Sequence, residues 1–160
     1  MNGHDPTHIT EFSRVYGSTA DPVSTWPYEG LVEVLEQGGV NSWLPIVDEI
    51  ESAPWGPVAR RLEKYLAYSQ DQVVVRVFAG LIKKYRTDTE QRERDLVAER
   101  VRAAIDGSHL PAREFADRIG TSASRLSTYA TGKVIPSAAM LMRIENYSKP
   151  SVLSTRHNHS

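Results

Sequence analysis

The 160-residue sequence contains no cysteine. That absence excludes a disulfide scaffold, thiolate zinc sites, iron–sulfur ligation and a cysteine nucleophile. A reducing, intracellular setting is compatible with it. No run of 18 apolar residues occurs, so no transmembrane helix is expected. Met1–Tyr16 has no basic segment followed by an apolar stretch. A secretory signal is therefore not expected, and the expected location is cytoplasmic. Internal repeats and low-complexity segments are also missing. What remains, 40% hydrophobic and 24% charged residues with ten glycines and nine prolines, fits a globular chain. The length holds one ordinary domain or two small ones.

Catalytic signatures are equally scarce. Neither GxGxxG nor HExxH occurs, and Gly132-Lys133 has no glycine five residues before it, so the phosphate-loop pattern fails. His4 and His8 stand at i, i+4 in a polar segment, and His157 and His159 lie near the C-terminus. Neither pair reads as a metal site. No enzyme activity, metal or cofactor is expected. Asp48, Glu49 and Glu51 read as a solvated acidic face.

The net charge of −1 is a cancellation. Residues 1–90 carry eight basic and thirteen acidic side chains, whereas residues 91–160 carry eleven and seven. An acidic front and a basic back direct attention to the C-terminal part as a binder of polyanions.

Periodicity gives the elements. Residues 1–25 read as a loose arm, with a turn of helix near Thr10–Tyr16. A helix begins near Pro27, carries Leu31, Val34 and Leu35 inward, and stops at Gly38-Gly39. Ser42 is placed to cap the next helix, with Pro45 in its first turn and Leu44, Val47 and Ile50 as the apolar stripe. Ala53-Pro54-Trp55-Gly56-Pro57 breaks the chain. Pro57 then starts a third helix with Val58, Leu62, Tyr65 and Leu66 inward. Val73-Val74-Val75 favours strand locally. The spacing of Val74, Val77, Phe78, Leu81, Ile82 and Tyr85 nevertheless makes this segment a helix. Thr87-x-x-Glu90 fits a capping box that would start a new helix, with one long helix as the alternative. Val97, Val101, Ala104 and Ile105 form a stripe ending at Gly107. Trp26, Trp43 and Trp55 read as core anchors, or as the walls of a sensor pocket.

Leu110–Glu145 is the informative stretch. A short helix, Pro111–Ile119, has Phe115, Ala116 and Ile119 inward, and Gly120 closes it. Ser122 caps a second helix, Ala123–Thr131, with Leu126 and Tyr129 inward and Gly132 as its stop. Pro136 follows, and Ser137 caps a helix holding Met140, Leu141, Ile144 and Tyr147. The outer face of the second helix is Ala123, Ser124, Arg125, Ser127, Thr128 and Thr131: small, polar or cationic. Three short helices with glycine-containing turns match helix-turn-helix geometry.

These residues resemble the lambda-repressor-like (Cro/C1-type, xenobiotic-response-element-type) helix-turn-helix family. The resemblance lies in Phe115-Ala116, Ile119-Gly120, Ser122, Leu126, Gly132-Lys133 and Pro136, and it covers about residues 93–148. Ala112 and Ala130-Thr131 depart from what many members carry. The resemblance implies base-contacting roles for Ala123, Ser124, Arg125 and Thr128. It implies phosphate-contacting roles for Arg113, Ser122, Ser127 and Lys133. Arg118 stays a surface residue.

The expected architecture is all-α: a helical N-terminal module at 26–86, a helix-turn-helix domain at 90–150 and a disordered tail at 151–160. The expected function is sequence-specific binding of double-stranded DNA by a transcriptional regulator, in the first place a repressor acting as a homodimer. The alternative is an antitoxin-type protein whose acidic N-terminal module binds a partner protein while the C-terminal domain regulates the operon.

Overall fold

A computed structural model describes residues 10–148. Residues 1–9, with His4 and His8, and the C-terminal tail with His157 and His159 lie outside the described residues. The protein is all-α. Among the described residues, seven α-helices and a 3-10 turn at Val23–Thr25 form the regular structure, with no strand beyond an isolated Glu11–Ser18 bridge. None of the described helices is long and apolar enough to cross a membrane. The chain divides into two compact units between Thr89 and Glu90.

The first unit contains α1 (Tyr28–Gln37), α2 (Val40–Ser52), α3 (Pro57–Leu66) and the first part of α4 (Gln72–Ser108). Leu31, Val34 and Leu35 of α1, Ile46 and Ile50 of α2, Val58, Ala59, Leu62 and Tyr65 of α3, and Val74, Phe78 and Ile82 of α4 share one apolar core. Pro57 occupies the first turn of α3, where its missing N–H breaks no helical bond. Val73–Val75 is helical. Burial of the side chains at i, i+4 and i+8 outweighs the local β preference of three valines.

Residues 10–25 are not the loose arm their composition implies, and Thr10–Tyr16 forms no helix. Phe12 is buried and packs edge-on against Trp26, with ring centroids 5.4 Å apart. Both oxygens of Glu33 accept the Ser13 backbone N–H at 3.0 Å. Two aromatic rings and one carboxylate therefore fasten a segment that has no periodicity of its own.

Three further expectations are corrected. Ser42 lies inside α2, whose N-cap is Gly39, so Pro45 stands in the second turn rather than the first. Trp43 joins Ile46, Val47 and Ile50 on the core side, which leaves Leu44 52% exposed. Trp55 is 43% exposed beneath Arg86, whose guanidinium carbon lies 5.9 Å from the ring centroid. Trp26 and Trp43 both pack into the core of the first unit, where Trp26 donates from Nε1 to Asp21 O and Trp43 donates to Val34 O.

At Thr87–Glu90 the chain takes the long-helix alternative, and α4 continues to Ser108. It also passes Gly107, the expected stop. His109 ends it instead, in the left-handed conformation at φ 57°. Ser108 Oγ supports that turn by donating to Ile105 O and accepting the Leu110 N–H.

The second unit contains the last part of α4, α5 (Ala112–Ile119), α6 (Ala123–Ala130) and α7 (Ala138–Ser148). Its core is Val101, Ala104, Phe115, Ala116, Ile119, Leu126, Tyr129 and Ile144. Tyr147 keeps an edge-on contact with Phe115 at 5.6 Å although it is 39% exposed.

Candidate nucleic-acid interface

The site is built around α6. Its sequence, ASRLSTYA, holds three Ser or Thr residues, which are weak helix formers. Helicity here depends on the ends and on one buried face. At the start, Gly120 adopts φ 78°, and the Thr121 N–H bonds back to Ala116 O at 3.0 Å, closing α5. A β-carbon is strained in that region, so glycine is the residue the turn requires. Ser122 is extended, and its Oγ accepts the Arg125 N–H at 3.1 Å. That satisfies one of the orphan donors at the helix N-terminus.

At the other end, the Thr131 N–H bonds to Ser127 O, and the Val134 N–H returns to Thr128 O at 3.1 Å. Gly132 is left-handed at φ 74°. Arg102, on α4, donates to Ala130 O at 2.6 Å and supplies a cation where the helix dipole is negative. Arg100 and Glu145 pair at 2.6 Å and tie α4 to α7. Sequence spacing identified neither arginine, because both act across elements.

The two faces of α6 are sharply different. Leu126 and Tyr129 are buried. Ser124, Ser127, Thr128 and Thr131 fall at i, i+3, i+4 and i+7 on the opposite side. Thr128 Oγ1 donates to Arg125 O at 2.6 Å, and Thr131 Oγ1 donates to Ser127 O at 2.9 Å. With their donors used internally, these hydroxyls offer lone pairs outward. The exposed Ser124 and Ser127 hydroxyls have no partner among the described residues, so they can donate or accept.

Arg125 is exposed, and its Nε donates to the Tyr129 phenol oxygen at 2.9 Å. That contact fixes the direction of the guanidinium and leaves both terminal nitrogens for an outside acceptor. The i, i+4 spacing of Arg125 and Tyr129 was legible in the sequence, but Tyr129 reads there only as core. Its ring is core and its hydroxyl is a handle.

Ala123 completes the exposed start of α6. Lys133 is exposed in the turn that follows, with no acidic partner among the described residues. Arg113 is exposed and likewise unpaired, but it stands in the first turn of α5 rather than on α6. Arg118 is committed, donating to Glu114 and to the Tyr147 hydroxyl at 3.0 Å each. The distribution of charge along the sequence marks the same region. Between Asp117 and Glu145 there is no acidic residue, while Arg118, Arg125, Lys133 and Arg143 all fall in that interval.

No family model, curated protein or solved structure matches this chain.

Proposed function

We propose that residues 90–148 bind double-stranded DNA as a helix-turn-helix domain, with α6 laid in the major groove. The observation that carries this reading is the outer face of α6: small, hydroxyl-rich, cationic and free of carboxylates, on a helix capped at both ends. A major groove about 12 Å wide admits such a helix. Arg125 has a paired acceptor such as the guanine O6/N7 edge within its chemistry, while Ser124 and Thr128 suit base edges and Ala123 allows close approach. Ser122, Ser127, Lys133 and Arg113, with the backbone N–H groups that open α5 and α6, serve the phosphates.

In this reading the protein is a DNA-binding transcriptional regulator of the cytoplasm, acting as a repressor by occupying its site. One such motif covers few base pairs, so two chains on half-sites about 34 Å apart form the working unit. The test is selection of genomic duplex fragments by the full chain, followed by titration at several salt concentrations. Enrichment of a sequence, with affinity falling steeply as salt rises, supports the reading. No enrichment at low salt overturns it.

A second reading rests on the first unit. Residues 1–57 carry nine acidic and one basic side chain, with Glu29, Glu36, Asp48 and Glu51 exposed. Such a surface fits a basic protein partner, as in an antitoxin. Co-purification with the product of a neighbouring basic reading frame is the expected result there.

A further inference from the structure

Two arginines of the second unit donate to a tyrosine hydroxyl, and the two pairs differ in one respect. Arg118 donates to Tyr147 Oη at 3.0 Å and also pairs with the Glu114 carboxylate, which neutralises it. Arg125 donates from Nε to Tyr129 Oη at 2.9 Å, and no carboxylate among the described residues pairs with it. The first contact ties α5 to α7. The second joins two residues one turn apart on α6 and leaves a full positive charge on its exposed side.

The holder is rigid. Tyr129 is 4% exposed and shares its core with Val101, Phe115, Leu126 and Ile144. A guanidinium carries five N–H donors in two forks, one made by Nε and a terminal nitrogen, the other by the two terminal nitrogens. The bond to Tyr129 occupies Nε and closes the first fork. The fork that stays open sets Nη1 and Nη2 side by side.

Two parallel donors match guanine, whose N7 and O6 acceptors lie side by side in the major groove. Adenine sets its N6 amine beside N7, so one donor of the pair meets another donor. An arginine free to turn avoids that conflict by offering a single N–H to N7 or by swinging to a phosphate. One held at Nε must first give up its bond to Tyr129. The rest of α6 agrees: ASRLSTYA has neither Asn nor Gln, the side chains that match the adenine edge.

We propose that Tyr129, through its hydroxyl, is the positioning residue that makes α6 select guanine over adenine. This rests on the proposed docking of α6 in the major groove. Tyr129 acts through Arg125 and touches no base itself. A side chain held in place beforehand also loses less freedom on binding, so the same bond raises affinity for the matched site.

The test uses the full chain and a duplex enriched from genomic fragments, with each G·C pair replaced in turn by A·T. At the pair read by Arg125, the replacement is expected to weaken wild-type binding about 5- to 150-fold. Tyr129→Phe keeps the buried ring and removes the hydroxyl. It is expected to shrink that penalty roughly 2- to 10-fold, with the thermal midpoint and the affinity for a scrambled duplex nearly unchanged. Tyr147→Phe releases Arg118 instead and is expected to leave the penalty as it is. Arg125→Lys keeps the charge but has no fork, so the guanine preference is expected to disappear. Adding Tyr129→Phe to Arg125→Lys is then expected to change nothing further, whereas a general effect of Tyr129 on α6 would persist without the arginine.

A penalty unchanged in Tyr129→Phe, a further loss when it is added to Arg125→Lys, or a guanine preference that survives Arg125→Lys overturns the inference and leaves the α6 reading standing. An enriched duplex at which no G·C pair is preferred does the same. No enrichment of any duplex overturns the α6 reading, and this inference with it.

Discussion

Arg102 donates from α4 to the carbonyl oxygen of Ala130, the last residue of α6, at 2.6 Å. This contact joins the end of a helix with weak intrinsic propensity to a longer one. Arg102→Ala is expected to lower the stability of the second unit by about 1 kcal/mol, a figure reduced for the exposure of Arg102. Urea unfolding followed by circular dichroism measures it. Loss of DNA affinity should accompany it, because α6 frays at its C-terminal end.

Ser122 separates folding from binding. Ser122→Ala removes the cap and is expected to cost about 1 kcal/mol. Ser122→Asp retains a capping oxygen and is expected to leave stability nearly unchanged, yet it sets a carboxylate where the proposed phosphate lies. Thermal melts should therefore rank Ala below Asp, and duplex titrations should rank Asp below Ala.

Gly30 opens α1 to Phe12. A β-carbon at residue 30 would lie 2.9 Å from three carbons of the Phe12 ring. Gly30→Ala gains about 1 kcal/mol of helix propensity but forces a buried ring to move, at about 1–3 kcal/mol. Net destabilisation is expected from the midpoint of unfolding. The same substitution in a Phe12→Leu background should be milder, because the smaller side chain gives way.

Tyr65 sets an alkaline limit on the first unit. Burial pushes its phenol above the ordinary 10.0, and the charges of Glu36 and Asp71 add to that, against a hydrogen bond from Ser69. Above pH 10 the unfolded chain loses a proton that the folded chain still holds. Stability from this group is therefore complete below pH 10 and falls as pH rises through the higher folded value. Urea midpoints at about pH 9 and about pH 11 should fall less in Tyr65→Phe than in the wild-type chain.

The fold is legible in the sequence where one element carries its own signal. Val58, Leu62 and Tyr65 gave α3, and the run from Phe115 through Gly120 and Ser122 to Tyr129 gave the α5–α6 turn, because period, stop and cap coincide there. The fold is not legible where a second element decides the outcome. Phe12 is fixed by Trp26 and by the space at Gly30, neither of which is near it in sequence. Leu44 looks as apolar as Trp43, and only the position of Phe78 decides which of them turns inward. The Thr87–Glu90 pattern satisfies the rule for a helix start, but nothing there breaks the helix that precedes it. At the candidate interface the exposed residues of α6 were legible from their period. The Tyr129 hydroxyl that aims Arg125 was not, since a tyrosine of the core declares only its ring.

The central claim is that Arg125 on α6 reads bases. The measurement that tests it most directly is the affinity of the wild-type chain and of Arg125→Ala for a selected duplex and for a scrambled one at the same salt concentration. The account predicts a loss of about 1–3 kcal/mol, roughly 5- to 150-fold, on the selected duplex and little change on the scrambled one. Equal affinity of Arg125→Ala and the wild-type chain for the selected duplex, or equal loss on both duplexes, would contradict it.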